Sequence, residues 1–354
     1  MEDLFTVEDF RKAARRVLDP VAYDYYASGA DGQRLRRLNR RAWDDVPLRP
    51  RVMVDVSSVD TSTTVAGLSL AWPAMVAPMA YQKLAHPDGE LATANACAAA
   101  HTPMIVSTMA NVTLEDVAAA TPAPKWFQLY CHRDRGITQA LVERAEAAGY
   151  GALVITVDAP VLGRRVPDER NRFALPPGIT RANLESEAAG AADDASELAA
   201  LFRNRQDAAL NWRDLAWFRG LTRLPLWLKG VLRADDAQRA ADAGCAGVIV
   251  SNHGGRQLDA AIPTAHALPA IAGAVGARMG VLVDGGIHWG ADIVRALALG
   301  AHGVLLGRPV LWGLAVGGEA GVRRVLELLR GDFTRAMQLA GCANVAAANR
   351  DLLA

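Results

Sequence analysis

Along the chain, the spacing of apolar positions changes character near residue 74. Before it, Val7, Phe10, Ala14, Val17 and Leu18 recur at helical intervals, with Thr6 as an N-cap and Glu8 and Asp9 in the first turn. This spacing predicts helices over 7–18 and 20–42. From residue 74 onward, short apolar runs end in polar residues or glycine, and Ala-rich helical stretches follow them. There are eight such runs: Ala74–Ala77, Met104–Ser107, Trp126–Tyr130, Leu153–Asp158, Leu226–Lys229, Gly247–Ser251, Val281–Asp284 and Gly303–Gly307. Continuously apolar strands alternating with helices signify parallel β/α units covered on both faces. Eight units predict an α/β fold closed into a (β/α)8 TIM barrel, entered through N-terminal helices. An open doubly wound sheet is the rival. The absence of GxGxxG after any early strand weighs against it.

The rhythm breaks once, between Asp158 and Leu226. An insertion of about 174–222 follows the fourth strand and carries Glu185, Glu187, Asp193, Asp194 and Glu197 among many alanines. It reads as a lid segment or as a solvated linker.

Composition narrows the function classes. The 354 residues include 38 Lys+Arg against 38 Asp+Glu, which disfavours nucleic acid or an acidic membrane surface as main partner. A hydrophobic content of 51% excludes disorder. Cys97, Cys131, Cys245 and Cys342 are scattered without a CxxC, so neither a disulfide framework nor a zinc site is indicated, and no metal is expected. The uncharged stretches 61–82 and 91–114 are interrupted by Pro73, Pro78, Asn95, His101, Pro103 and Asn111, unlike a spanning helix. Met1-Glu2-Asp3 opens no apolar signal core. A soluble cytoplasmic protein is expected.

In a barrel of this kind the active site lies at the C-terminal ends of the strands. Here those ends gather Gln128 and Tyr130, Thr156 and Asp158, Arg164 and Arg165, Lys229, Ser251 through Arg256, Asp284-Gly285-Gly286 and Gly307-Arg308. Packing does not account for so many charges, because desolvating them costs free energy unless they are paired or used. The last two segments lie where this fold usually binds phosphate, with glycine backbone and an arginine to receive it. His253 is the natural general base, and Asp158 would fix its tautomer. Arg165 and Arg256 can reach one small carboxylate, or serve as surface ion-pair partners. Lys229 would balance charge on an electron-accepting cofactor, form a Schiff base, or simply pair with a carboxylate. Tyr25 and Tyr130 offer phenol hydrogen bonds.

Ser251-Asn252-His253-Gly254-Gly255-Arg256-Gln257-Leu258-Asp259 resembles the signature of the FMN-dependent L-2-hydroxy acid oxidases and dehydrogenases. That family includes glycolate, lactate and mandelate-oxidising enzymes. Further matches are 23–30, 85–90, 156–158, 163–165, 228–230 and 307–309, in the right order. The resemblance implies a single domain over 1–354 and FMN across the barrel mouth. Pro78, Met79 and Ala80 would lie along the flavin ring, with Ser107, Gln128 and Thr156 beside it. Lys229 and Ser251 would sit at its polar edge, and Asp284, Gly286, Gly307 and Arg308 near its phosphate. Arg165 and Arg256 would clamp the substrate carboxylate, Tyr25 and Tyr130 would contact its oxygens, and His253 would take a proton with help from Asp158. The family usually has Arg where His288 stands. Glycolate oxidases usually have Thr at Met79 and Trp at Met109, which makes Met109 a pocket-wall residue.

The implied reaction is oxidation of an L-2-hydroxy acid to a 2-oxo acid, with O2 reduced to H2O2. The stretches 80–90 and 314–324 favour the (S)-mandelate or 4-hydroxymandelate branch. Glycolate, lactate or an aliphatic hydroxy acid is the alternative. A quinone-linked dehydrogenase, a Schiff-base lyase using Lys229 and an inactive flavin-binding protein are further rivals. The resemblance also implies a homotetramer or larger assembly.

Overall fold

The computed structural model describes residues 3–184 and 197–354. Three helices open the chain: α1 (Val7–Val17), α2 (Pro20–Ala27) and α3 (Arg34–Asp44). Thr6 and Asp9 form a capping box on α1. The single helix expected over 20–42 is two. Ala30 N–H donates to Gly255 O instead of continuing α2, and a side chain at Gly29 would press to 2.9 Å from that same carbonyl. The break lets the chain turn into the barrel mouth.

A hairpin, β1 (Thr63–Val65) and β2 (Leu68–Leu70), precedes the barrel. The barrel strands are β3 (Ala74–Val76), β4 (Met104–Ser107), β5 (Lys125–Leu129), β6 (Leu153–Thr156), β7 (Leu226–Val231), β8 (Gly247–Val250), β9 (Gly280–Val283) and β10 (Gly303–Leu306). They pair in sequence order, all parallel, and β10 closes onto β3. All eight predicted runs are therefore strands of one closed barrel, with ends shifted by a residue or two. The covering helices are α4 (Gly89–Ala99), α5 (Leu114–Ala120), α6 (Arg135–Ala147), α7 (Val166–Arg170), α8 (Glu197–Arg205), α9 (Asp214–Leu221), α10 (Ala234–Asp242), α11 (Thr264–Val275), α12 (Gly290–Ala298) and α13 (Arg308–Ala340).

Two apolar layers hold the barrel. Inside, Met75, Ile105, Val154, Trp227, Ile249, Leu282 and Leu305 form one cluster, joined by Val65 and Leu70 of the hairpin. Trp227 fills the lumen beside Trp126, their ring centroids 4.8 Å apart. A Cβ at Gly247 or Gly280 would approach the Trp227 ring to 2.2 or 2.3 Å, so glycine on β8 and on β9 makes room for the indole. The outer layer lies between strands and helices.

The described part of the insertion contains two helices, α8 and α9, with Phe202, Leu215 and Phe218 buried. Glu185, Glu187, Asp193 and Asp194 lie outside the described residues. No helix among the described residues is long and apolar enough to cross a membrane. All four cysteines are buried and unpaired.

Candidate active site

The strand ends open into one cavity at the C-terminal mouth of the barrel. It is lined by Tyr25, Pro78, Met79, Ala80, Ser107, Met109, Gln128, Tyr130, Thr156, Arg165, Lys229, His253, Arg256, Asp284, Gly286, Gly307 and Arg308, all of them residues singled out from the sequence. Asp158 and Ser251 stand behind this lining.

Local structure explains how the polar groups reach it. His253 leaves β8 in left-handed conformation (φ 58°), followed by Gly254 and Gly255 at 65° and 77°. A non-glycine residue held there stores strain, which surrounding contacts must over-determine. They do: His253 N–H donates to Ser251 Oγ at 3.1 Å, and Nδ1 lies 2.9 Å from Asp158 Oδ1. The remaining nitrogen, Nε2, faces the cavity side at 3.3 Å from the Tyr130 hydroxyl. Asp158 approaches because β7 bulges at Gly230, where Lys229 and Val231 pair with consecutive residues of β8. Gly230 has φ 110°, and a Cβ there would come within 2.4 Å of Asp158 Cβ.

Burial dominates the His253 titration and holds its pKa below the ordinary imidazole value, against the opposing pull of Asp158. Burial would raise the Asp158 pKa, but the facing His253, the Lys229 ammonium and a backbone hydrogen bond together keep the carboxyl below its usual range. The pair is thus a neutral base beside a carboxylate at neutral pH, arranged to stabilise an imidazolium once a proton arrives.

The rest of the signature builds this site indirectly. Gln257 Nε2 donates to Asp158 O and Val161 O, while its Oε1 accepts from Gly163 N–H. Asp259 accepts from Arg34 and Leu35 N–H, capping α3 where Gln33 supplies no side-chain cap. Arg256 Nη1 donates to Tyr25 O and Ser28 O, which fixes the end of α2, and its guanidinium lies over the Tyr25 ring. Arg165 is buried with Nε unbonded and its nearest carboxylate, Asp168, 3.9 Å away.

A second row crosses the mouth. Ser107 Oγ donates to Gln128 Oε1, and Gln128 Nε2 donates to Thr156 Oγ1, both at 3.0 Å. Lys229 Nζ donates to Ser251 Oγ at 3.0 Å and pairs with Asp284 Oδ2 at 3.3 Å. Asp284, expected near the phosphate, thus pairs with Lys229 through Oδ2 and also lines the cavity together with Gly286, Gly307 and Arg308. Ser251 is a buried bracket between Lys229 and His253.

These groups suit a flavin mononucleotide on several counts. The lining carries four cations (Arg165, Lys229, Arg256 and Arg308) against one carboxylate, Asp284. Asp284 Oδ1 is buried without a partner, an acceptor open to a hydroxyl-bearing chain. Gly285 and Gly286 turn with φ 90° and 88°, next to the Gly307-Arg308 segment. Backbone in this form presents N–H groups to an oxyanion.

The wall also holds residues that motif reasoning missed. Tyr25 stacks on Phe173 at 4.4 Å, and Tyr81 lies 5.6 Å from Tyr25. Phe202 of α8 meets Tyr130 edge-on at 5.3 Å and lines the cavity, so the insertion contributes to the site. Its signal was available: Phe202 is the one aromatic residue between positions 174 and 211.

Comparison with known proteins agrees with this geometry. Residues 14–354 match the family described as FMN-dependent dehydrogenase. An L-lactate oxidase of Nostoc sp. is 51% identical over 344 residues, spanning 95% of this chain and 94% of that protein. Glycolate oxidase 3 of Arabidopsis thaliana is 47% identical over 342 residues, spanning 96% and 93%. The crystal structure of a mandelate oxidase with (S)-4-hydroxymandelic acid superposes with a TM-score of 0.94 at 44% identity, covering 98% of this chain and 97% of that one. The chain is a member of the FMN-dependent dehydrogenase family.

Proposed function

We propose that this protein oxidises an L-2-hydroxy acid to the 2-oxo acid with dioxygen as acceptor. The observation that carries the reading is the His253–Asp158 pair facing the same cavity as two arginines, Arg165 and Arg256. Bound FMN supplies the redox chemistry, accepting the substrate's electron pair and passing it to O2 to give H2O2. Pro78, Met79, Ala80, Ser107, Gln128, Thr156, Lys229 and the Asp284, Gly286, Gly307, Arg308 end would hold it. Lys229 offers positive charge to a developing anion, with Ser251 and Asp284 keeping the ammonium in place.

The substrate carboxylate binds Arg165 and Arg256. Tyr25 and Tyr130 orient its oxygens. Neutral His253 accepts a proton at Nε2, and Asp158 stabilises the resulting imidazolium through Nδ1. A buried, aromatic-lined site excludes water from this exchange.

Within that class, the favoured substrate is an (S)-mandelate or 4-hydroxymandelate type acid. Support comes from the wall of Tyr25, Tyr81, Met109, Tyr130 and Phe202, and from the likeness to the mandelate oxidase fold. Burying about 100 Å² more apolar surface than a methyl group would stabilise an aryl complex by about 2.5 kcal/mol. L-Lactate is the second reading, favoured by the identity to the Nostoc lactate oxidase. A homotetramer or larger assembly is part of the proposal, supported by the exposed Val52, Met53 and Leu339. A screen of 2-hydroxy acids with peroxide detection tests the reading. The expected result is peroxide formation with the highest kcat/KM for (S)-mandelate; turnover with a dye acceptor but no peroxide would refute the oxidase assignment.

A further inference from the structure

His288 follows the Gly285-Gly286 turn and lines the same cavity as Gly286, Gly307 and Arg308. Its backbone is anchored, with N–H donating to Asp292 Oδ2 at 2.9 Å. Among the described residues its ring makes no hydrogen bond. The two arginines around it are already committed. Arg40 donates to Gly286 O and holds Asp292 and Asp44. Arg308 donates to Tyr26 O, Gly254 O and Ser28 O. Unlike these two arginines, the imidazole keeps its ring nitrogens uncommitted.

The nearby acids are committed too. Glu8 of α1 pairs with Arg11, Asp292 of α12 with Arg40 and Arg295, and Asp44 of α3 with Arg40. On α13, which shares a surface recess with His288, Asp332 accepts from Gly290 N–H, Glu327 is paired with Arg323, and Arg324 and Arg335 add positive charge. Arg36 lies close enough to Arg308 to add a further cation. Among the described residues no carboxylate is hydrogen-bonded to the ring. Burial, assisted by Arg40 and Arg308, pushes the His288 pKa down to about 4, so without ligand the ring is neutral. A phosphate at this end, where the fold usually binds one, would give the ring an anionic partner.

We propose that His288 is a phosphate-recognising residue of the FMN site that takes up a proton as the phosphate binds, so that FMN is held more tightly as the pH falls. The inference rests on the FMN reading of the cavity. Its sign follows from linkage: a group whose pKa rises on binding favours the complex below its bound-state pKa and withdraws that stabilisation above it. One linked proton limits the change to about tenfold in Kd per pH unit. Below about pH 6 the phosphate binds its own proton and the trend flattens, so the informative range lies above that.

The test is FMN dissociation from the holoenzyme, read by recovery of flavin fluorescence on dilution at pH 6.5, 7.5 and 8.5. A parallel sample exchanged with riboflavin, which lacks the phosphate, reports all other titrations around the flavin. Wild type should release FMN about three- to tenfold more readily per unit rise in pH, and riboflavin should show no such slope. His288→Gln should lose the slope. His288→Arg should lose it while retaining FMN at every pH, which decides the matter if the Gln variant fails to fold. Equal slopes for FMN and riboflavin, or an unchanged slope in either variant, would overturn the role of His288. A protein that binds neither flavin at any pH would instead remove the FMN reading itself.

Discussion

Gly230→Ala is the substitution whose consequences the structure specifies most closely. The new methyl carbon would stand 2.4 Å from Asp158 Cβ and 2.5 Å from Cγ, against an ordinary contact of 3.4 Å or more. Asp158 would have to withdraw by about 1 Å, and a misplacement of that size near the chemistry costs on the order of 10²-fold in rate. Two costs in stability add. The φ of 110° suits glycine, and holding alanine there costs about 1–3 kcal/mol. Overpacking against Asp158 adds about 1–3 kcal/mol. Gly149→Ala is the control, since Gly149 has φ 78° but nothing within 4 Å of a new Cβ. It should show the first cost without the second and leave flavin reduction unchanged. Denaturant unfolding and stopped-flow reduction by substrate would be measured on both variants. If Gly230→Ala is no less stable than Gly149→Ala and reduces its flavin at the wild-type rate, the bulge does not position Asp158, and this account of the catalytic pair fails.

Two other outcomes follow from the site. Because burial keeps His253 below the ordinary imidazole range, the rate of flavin reduction should stay level as the pH falls from 8 to about 6.5 and decline only below it. Asp158→Asn removes the group that favours the imidazolium, so this inflection should move to still lower pH; an upward move would contradict the pairing. Arg165→Met should raise KM for the acid by on the order of 10- to 150-fold, the equivalent of about 1.5–3 kcal/mol for a charged contact, while the methyl ester reacts as in wild type. Equal losses on acid and ester would mean that Arg165 does not recognise the carboxylate.

Much of the fold was legible because the barrel strands are buried on both faces and so read as unbroken apolar runs, from Ala74–Val76 to Gly303–Leu306. The long motif at 251–259 also pointed to the side chains that the barrel brings to one cavity, His253 and Arg256. What escaped were relations set by tertiary contact. The break between α2 and α3 depends on Gly255 O, which arrives from the far end of the chain. Lys229 and Asp284 stand on β7 and just after β9, and only barrel closure brings them to 3.3 Å. Phe202 and Phe173 belong to no motif; Phe202 reaches the cavity beside Tyr130, and Phe173 backs Tyr25 from behind the lining. A sequence pattern carries the period of an element, not the side chain that will cover it.

In the proposed reaction His253, held by Asp158, takes the substrate proton in an FMN-containing cavity. Anaerobic stopped-flow mixing of holoenzyme with (S)-mandelate, in wild type and His253→Ala, tests it most directly, because bleaching of the flavin reports the oxidative half-reaction alone. The variant should retain its flavin and bleach about 10²–10⁴-fold more slowly. Bleaching of His253→Ala at a rate near that of wild type would contradict it.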